Sequence, residues 1–524
     1  MKSEDQPFRA NISATGTTLA PAYDLLAVTK NAEPKPVPGE DSHGSPDNIH
    51  GVDDRLAAQD ALTDPNIVDW DGPNDPANPR NWSKSVKILN VTLISLSVLY
   101  TFSSNIATTM FAPGAQELAE EFGIKSSVIA TLTVTIPSLG ASLGPTLLAP
   151  LSELAGRLPI YWASSVLYIC CTVGCARSTD AAMFLVFRLL CGACGASFMT
   201  CGGGTIADLL PKEERGAATA VFSAGPLLGP VVGPIVGGFV AQALGWRWTF
   251  YLVLILAGTV TVTALITMRE TNAAIILRRK AARLRKETGN QDLRSANDNK
   301  VMRKHLVERA LLRPLRMLFF SPIVFLTGLY MALTFGMTYL LFATFPSVFR
   351  TTYGWSVGVS GLAYLGLGFG CTVGLLLSAK LSDRLLGGNG GPERRLILMI
   401  WVGPAIPAGT FIYGWTADYG VHWIVPMIGT AFVGLGVVVI TAASQLYMMD
   451  MFGPQAAASA LAATTLIRNG SGAFLALAAD PLYKTIGLGW GNSVLGFILA
   501  AFLPVPVVFY KCGLWLRERF AVDI

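Results

Sequence analysis

The sequence predicts an all-α membrane protein in which twelve transmembrane helices form two six-helix bundles related as a pseudo-repeat, and three observations predict it. Twelve apolar stretches approach the roughly 20 residues that a helix needs to cross a bilayer, at about 88–109, 127–149, 159–177, 181–203, 217–241, 249–267, 320–344, 358–379, 397–415, 422–444, 457–479 and 492–511. The longest interruption, Arg269 to about Arg316, is basic and divides the stretches six and six. Gly140, Gly144 and Leu151-Ser152-Glu153 in the second stretch return as Gly370, Gly374 and Leu381-Ser382-Asp383 in the eighth, about 230 residues further on. Two repeated halves are a transporter signature rather than that of a receptor or an intramembrane enzyme. Composition agrees: 14% of the 524 residues are charged, against roughly 25% in soluble domains.

Taken in order, residues 1–85 are rich in Pro, Asp, Asn, Ser and Gly and too poor in apolar residues to build a core, so they read as a disordered cytosolic tail without a cleavable signal sequence. At its end Asp69–Ser83 sets prolines and Asx residues in successive turns between Trp70 and Trp82. These turns are expected to dock the chain at the membrane surface, with Trp82, Lys84 and Lys87 at headgroup depth. The two bundles then take residues 86–268 and 318–513, the linker 269–317, and a short cytosolic tail 514–524. The first part of the linker, with Arg278-Arg279-Lys280, Arg283 and Arg285-Lys286, suits a basic amphipathic helix on the membrane surface.

Loop charge predicts the orientation. If spans alternate, the linker, Lys212–Arg215, Arg384 with Glu393–Arg395, and Lys511 with Arg517 and Arg519 all fall on one side, which places both termini in the cytosol. The same loops account for the net charge of +5, so nucleic acid is not an expected partner, whereas membrane lipid is. No Gly-x4-Gly-Lys-Ser/Thr phosphate loop occurs and no cofactor is expected. No nucleophile–base pair or metal set stands at recognisable spacing, which argues against an enzyme. Cys191 and Cys194 have a redox or metal spacing, but without a second pair or a nearby His, small-residue packing is the simpler reading.

The fifth stretch is the most unusual. Gly-Pro recurs every four residues at Gly225-Pro226, Gly229-Pro230 and Gly233-Pro234, followed by Gly237-Gly238. Four-residue spacing returns to nearly one helix face, so the glycines form a smooth ridge. In water so many breakers would make a loop, but inside a bilayer only a helix satisfies the backbone. The ridge is expected to press on a helix of the other half, the eighth, and to seal a central cavity.

Several polar residues stand within apolar stretches. Arg188 lies about seven residues into the fourth, where an ionised side chain costs several kcal/mol unless paired or hydrated; it either snorkels as a structural arginine or faces the cavity. Arg468 lies about eleven residues into the eleventh, roughly 16 Å at helical rise, beside Asn469 and Ser471, and is expected to line water or meet a partner. No acid stands mid-span in the first six stretches, which leaves the proton acceptor to the substrate or to a carboxylate at the membrane edge. Asn105 and Gln445 are further cavity candidates, Gln445 alternatively capping the cytosolic mouth. Tyr330, Phe335 and Tyr339 in the seventh stretch form either a packing stripe or an aromatic wall for an amphipathic ligand. Glu153 and Arg157 are four apart at a helix end, the spacing of an intrahelical pair, with Asp383-Arg384 as counterpart.

Four of these features carry a resemblance. Gly144–Arg157 resembles the signature between the second and third spans of the major facilitator superfamily, Phe187-Arg188 with Gly192, Gly195 and Gly202-Gly203-Gly204 its fourth-span arginine motif, and the Gly-Pro stretch its antiporter motif. Asp69–Ser83, Trp246–Tyr251, Ser321–Val324 and Gln445–Asp450 are similar to the fungal twelve-span drug:proton antiporters, and together the features cover the chain from about Trp70 onward. One departure is Leu158, where the family usually has a second basic residue after Gly-Arg. The resemblance implies a monomeric exporter of drugs, toxins or secondary metabolites that exchanges them for protons, in the plasma membrane or alternatively the vacuolar membrane. It implies a part for Arg188 in proton transfer, and an inter-helix charge latch at Glu153 and Arg157 on the cytosolic face. A proton-coupled carrier of a nutrient, polyamine or organic acid and a non-transporting sensor are the rival readings.

Overall fold

Apolar stretches fold as helices here because helix closes the backbone hydrogen bonds within the segment, and local chemistry sets where each one stops. The computed structural model of the chain describes residues 66–83, 85–87, 109–210, 215–296, 312–386 and 391–519. Among them, nine helices are long and apolar enough to cross a membrane. Of the other three expected spans, the first falls largely outside the described residues, the fifth is helical over Arg215–Leu244, and the eleventh continues the tenth within Ile424–Leu477. The second span, Ser127–Ala155, stays helical through Pro137, Pro145 and Pro150, and ends at Gly156, whose φ of 107° only glycine adopts readily. The fourth, Ala181–Leu209, starts where the Asp180 carboxylate accepts from the Met183 N–H at 2.9 Å. The ninth breaks into Leu396–Val402 and Ala405–Asp418 around Gly403-Pro404.

The sequence repeat is a packing repeat. A Cβ on Gly140 or Gly144 would collide with the backbone of the fourth span at Leu189 and Ala193, and one on Gly370 or Gly374 with the tenth at Ala431 and Leu435. Each half therefore joins its second and fourth helices by the same glycine-enabled approach, and each has its own apolar core.

The corner at Leu154–Arg157 lies against Glu270 and Arg278 where the linker begins, which defines a linker face and an opposite, far face. The linker opens with the helix Ala273–Thr288, capped at its start by Asn272 and ended by Gly289 in the left-handed region. Residues 66–83, assigned by composition to the tail, fold onto this helix. Strand β1, Ile67–Val68, pairs in parallel with β2, Arg294–Ser295. The Asp75 carboxylate accepts from the N–H groups of Asp71 and Ala77, which hold it below the usual carboxylate range, and Lys280 bonds Asp71 at 2.6 Å and the Asp69 carbonyl at 2.8 Å. These turns, expected to dock at the membrane surface, meet the protein's own linker helix, and Trp82, expected at headgroup depth, packs on the core of the first half.

Candidate functional site

The site is built where the halves meet. From the second span, the Ser138 hydroxyl donates to the Asn469 carbonyl at 2.5 Å and the Ser142 hydroxyl to the Leu466 carbonyl at 2.7 Å, while the Asn469 amide returns a bond to the Ala141 carbonyl at 3.1 Å. Small hydroxyls on one helix thus satisfy backbone carbonyls on another without bulk between them. Gly472 completes the approach, since a Cβ there would meet the Ser138 hydroxyl at 2.6 Å and the Tyr339 ring at 3.2 Å. The eleventh span is tied to the seventh by the Ser471 hydroxyl donating to the Ala332 carbonyl at 2.6 Å. Serines, Asn469, Tyr339 and Gly472 thereby bring the second, seventh and eleventh spans to one point.

Beside this point Arg468 is half-buried, with its guanidinium 5.0 Å from the Phe335 ring centroid, and Phe335 leans on Tyr339 at 5.0 Å between centroids. Arg188 is placed differently. It is 1% exposed, donates through Nε to the Thr133 carbonyl at 3.1 Å, and stands over Phe111, Phe184 and Phe250 at 5.3, 5.8 and 5.5 Å. That aromatic box offsets the cost of burying the charge by cation–π attraction, and it rules out the snorkelling arrangement for Arg188 in this conformation. In this conformation the same box encloses the Arg188 head. Tyr330 is also withdrawn from the junction: it is buried inside the second half and stacked on Phe502 at 5.9 Å. Gln445 is half-buried toward the linker-face end of the tenth span. Asn105 lies outside the described residues, and so do the side chains of Asp383 and Arg384 on the helix Tyr364–Leu386.

The far face is closed by the fifth and eighth spans. A Cβ on Gly238 would meet the carbonyl oxygens of Val357 and Gly358 at 2.9 Å, one on Gly361 would collide with the Pro234 carbonyl, and one on Gly368 with the Val231 side chain. The Gln242 side-chain oxygen accepts from the Gly358 N–H at 2.7 Å, and Arg350 reaches across the halves to Gln116 at 2.9 Å. The eighth helix is therefore met by Val231, Pro234, Gly238 and Gln242. Gly237 instead abuts Met110, at the end of the first span, and Gly229 and Gly233, which share its four-residue spacing, are buried. The Gly-Pro stretch does pack on the eighth span, but through the face beside the expected ridge. For Gly225 and Pro226 only the helical backbone is described.

The linker face differs most from expectation. Gly156 breaks the helix between Glu153 and Arg157, so the presumed intrahelical spacing does not apply; Glu153 is exposed. Arg157 instead pairs with Asp208 at 3.7 Å and donates to the Ser152 hydroxyl at 2.7 Å. Glu270, 7% exposed, accepts from the N–H groups of Arg157, Leu158, Thr271 and Asn272 at 3.0–3.2 Å. In the second half Arg395 pairs with Asp450 at 2.8 Å and Arg517 with Glu393 at 3.0 Å. Each of these ion pairs lies within one half. Asp208 and Glu270 were not singled out by sequence, because each stands at the end of an apolar run, where an acid reads as ordinary hydration.

Residues 97–477 match the Major Facilitator Superfamily. The MFS transporter fsa7 of Fusarium sp. (strain FN080326) is 55% identical over 468 residues, 89% of this chain and 92% of that protein. The Trichosetin biosynthesis cluster MFS transporter of Gibberella fujikuroi is 50% identical over 467 residues, 88% and 90% of the two chains. Among solved structures, the xylose transporter XylE from E. coli in a partially occluded inward open conformation superposes with a TM-score of 0.58 at 17% identity, over 82% of this chain and 98% of that one; at that identity the likeness is one of fold.

Proposed function

The chain belongs to the major facilitator superfamily of membrane transporters, and from that premise we propose that it exports a small organic molecule in exchange for protons by alternating access. The observation that carries the reading is the asymmetry of the junction. Bonds between the halves run from Ser138–Asn469 in the middle to Gly358–Gln242 and Arg350–Gln116 at the far face, whereas the ion pairs of Arg157, Arg395 and Arg517 at the linker face stay within their own halves. On the positive-inside rule the linker face is cytosolic, so this conformation is the one that loads substrate from the cytosol. Proton binding and substrate binding favour different packings of the halves, and coupling is that difference. A relative named for a biosynthetic cluster supports a self-made compound as cargo. The antiport direction rests on the Gly-Pro motif; Arg188 is assigned to proton coupling, and Arg468, Asn469 and Gln445 to the cavity. The reading places the transporter as a monomer in the plasma membrane, with the vacuolar membrane as the alternative.

Inverted membrane vesicles carrying the full chain test this. A proton gradient, acidic inside, should drive uptake of exported compound, and collapsing it with a protonophore should reduce the rate at least tenfold. Equal flux with and without the gradient would remove the proton from the mechanism.

A further inference from the structure

The membrane interior of this chain carries charge of one sign. Within the twelve apolar stretches the charged residues that do not stand at an end are Arg188 and Arg468, and no Asp or Glu accompanies them. Their surroundings differ. Arg188 is fixed by the Thr133 carbonyl and three phenylalanine rings inside the first half. Arg468 belongs to the second half, is half-buried, and its Nε finds no acceptor among the described residues. Tyr339 stands between the halves within electrostatic reach of both guanidiniums, and Phe335 carries the Arg468 head on its face. The junction is thus a positively charged point walled by two aromatic rings and closed above by the Ser138–Asn469 and Gly472–Tyr339 contacts.

Arg188 has a carbonyl and three rings for its charge, whereas the Arg468 Nε without an acceptor calls for water or a counter-charge, and the planar donors of a guanidinium match a carboxylate better than they match a neutral group. A cationic ligand would meet repulsion from Arg468 with no acid to relieve it. Phe335, partly exposed and backed by the buried Tyr339 ring, offers a flat apolar face to the remainder of such a ligand. We propose that the cargo is an amphipathic organic acid taken up as its anion, with the acidic group on Arg468 and the apolar body along Phe335. This rests on the export reading and narrows it to a substrate class. It also supplies the missing carboxylate of the interior: the ligand itself brings the negative charge that the spans lack.

The test uses the purified full-length chain in lipid nanodiscs with three fluorescent probes of one length: 11-(dansylamino)undecanoic acid, its methyl ester, and the corresponding terminal amine. At pH 7.5 the acid should bind at least tenfold more tightly than the ester, and the amine more weakly than either. Arg468→Gln should bring the acid down to the ester's affinity, whereas Arg468→Lys, which keeps the charge, should retain a preference; a melting profile like that of the wild type shows that each variant folds. Equal binding of acid and ester, preference for the amine, no binding of the acid, or an acid preference that survives Arg468→Gln would each overturn the proposal. Gradient-driven uptake of the ester by vesicles, with no preference for the acid, would end the anion assignment and leave export standing; gradient-independent uptake of every probe would count against export by antiport itself.

Discussion

At Glu270 one buried carboxylate accepts from four backbone N–H groups, two of them at the start of the third span and two at the start of the linker. Those N–H groups are the ones a helix start leaves without partners, and an anion there also faces the positive end of the helix dipole. Glu270→Ala should therefore lower the stability of the purified protein by about 2–3 kcal/mol, the range for charged hydrogen bonds left unmade in a buried place, while Glu270→Gln, which keeps one acceptor oxygen, should lose less. Thermal unfolding in detergent measures both, and an unchanged midpoint for Glu270→Ala would deny Glu270 this role. Arg157 shows why such partners were hidden in the sequence. Its four-residue distance from Glu153 has meaning only on a continuous helix, and Gly156 at φ 107° interrupts that helix; the guanidinium then turns to Asp208, fifty-one positions away along the chain.

Single helices were legible because apolar length is a local signal. The Asp180 and Asn272 caps and the Gly289 stop, which the structure adds, likewise act within one turn of the residues they affect. Which face of a helix meets which neighbour is set by residues far away, and here the fifth span is instructive. The Gly-Pro period reveals a side-chain-poor helix, yet the eighth span is met by Gly238, Pro234, Val231 and Gln242, one strip over from the ridge. Gly238→Val should therefore hold the two helices apart at the far face, because its Cβ alone would come within 2.9 Å of two carbonyl oxygens. We expect gradient-driven transport to fall about tenfold, equivalent to about 1.4 kcal/mol against the closed far face, with normal abundance in the membrane. Gly258→Val in the sixth span, where a Cβ would meet nothing within 4 Å, is the matched control and should transport as the wild type does. Equal rates in the two variants would return Gly238 to ordinary helix packing.

For the whole molecule, the repeat in sequence and the repeat in packing are one fact, since Gly140 and Gly370 make the same approach in the two halves. The junction between the halves was less legible: Ser138, Ser142 and Gly472 are common residues in apolar helices and announce nothing until the second and eleventh spans are brought together. Orientation in the membrane is a further property, namely which face lies in the cytosol. Basic residues gather at the linker face, and the last helix, Pro504–Arg519, runs to that face with Arg517 paired to Glu393. Cys512 lies on this helix and is exposed, whereas six of the other seven cysteines are buried and Cys170, the remaining exposed one, sits in the body of the third span, Arg157–Ala176. A membrane-impermeant maleimide should accordingly leave the protein unlabelled in intact cells and label it once the membrane is permeabilised, and Cys512→Ser should abolish that signal. If intact cells gave the Cys512-dependent signal, the linker face would lie outside, and the cytosolic loading proposed for this conformation would fall with it.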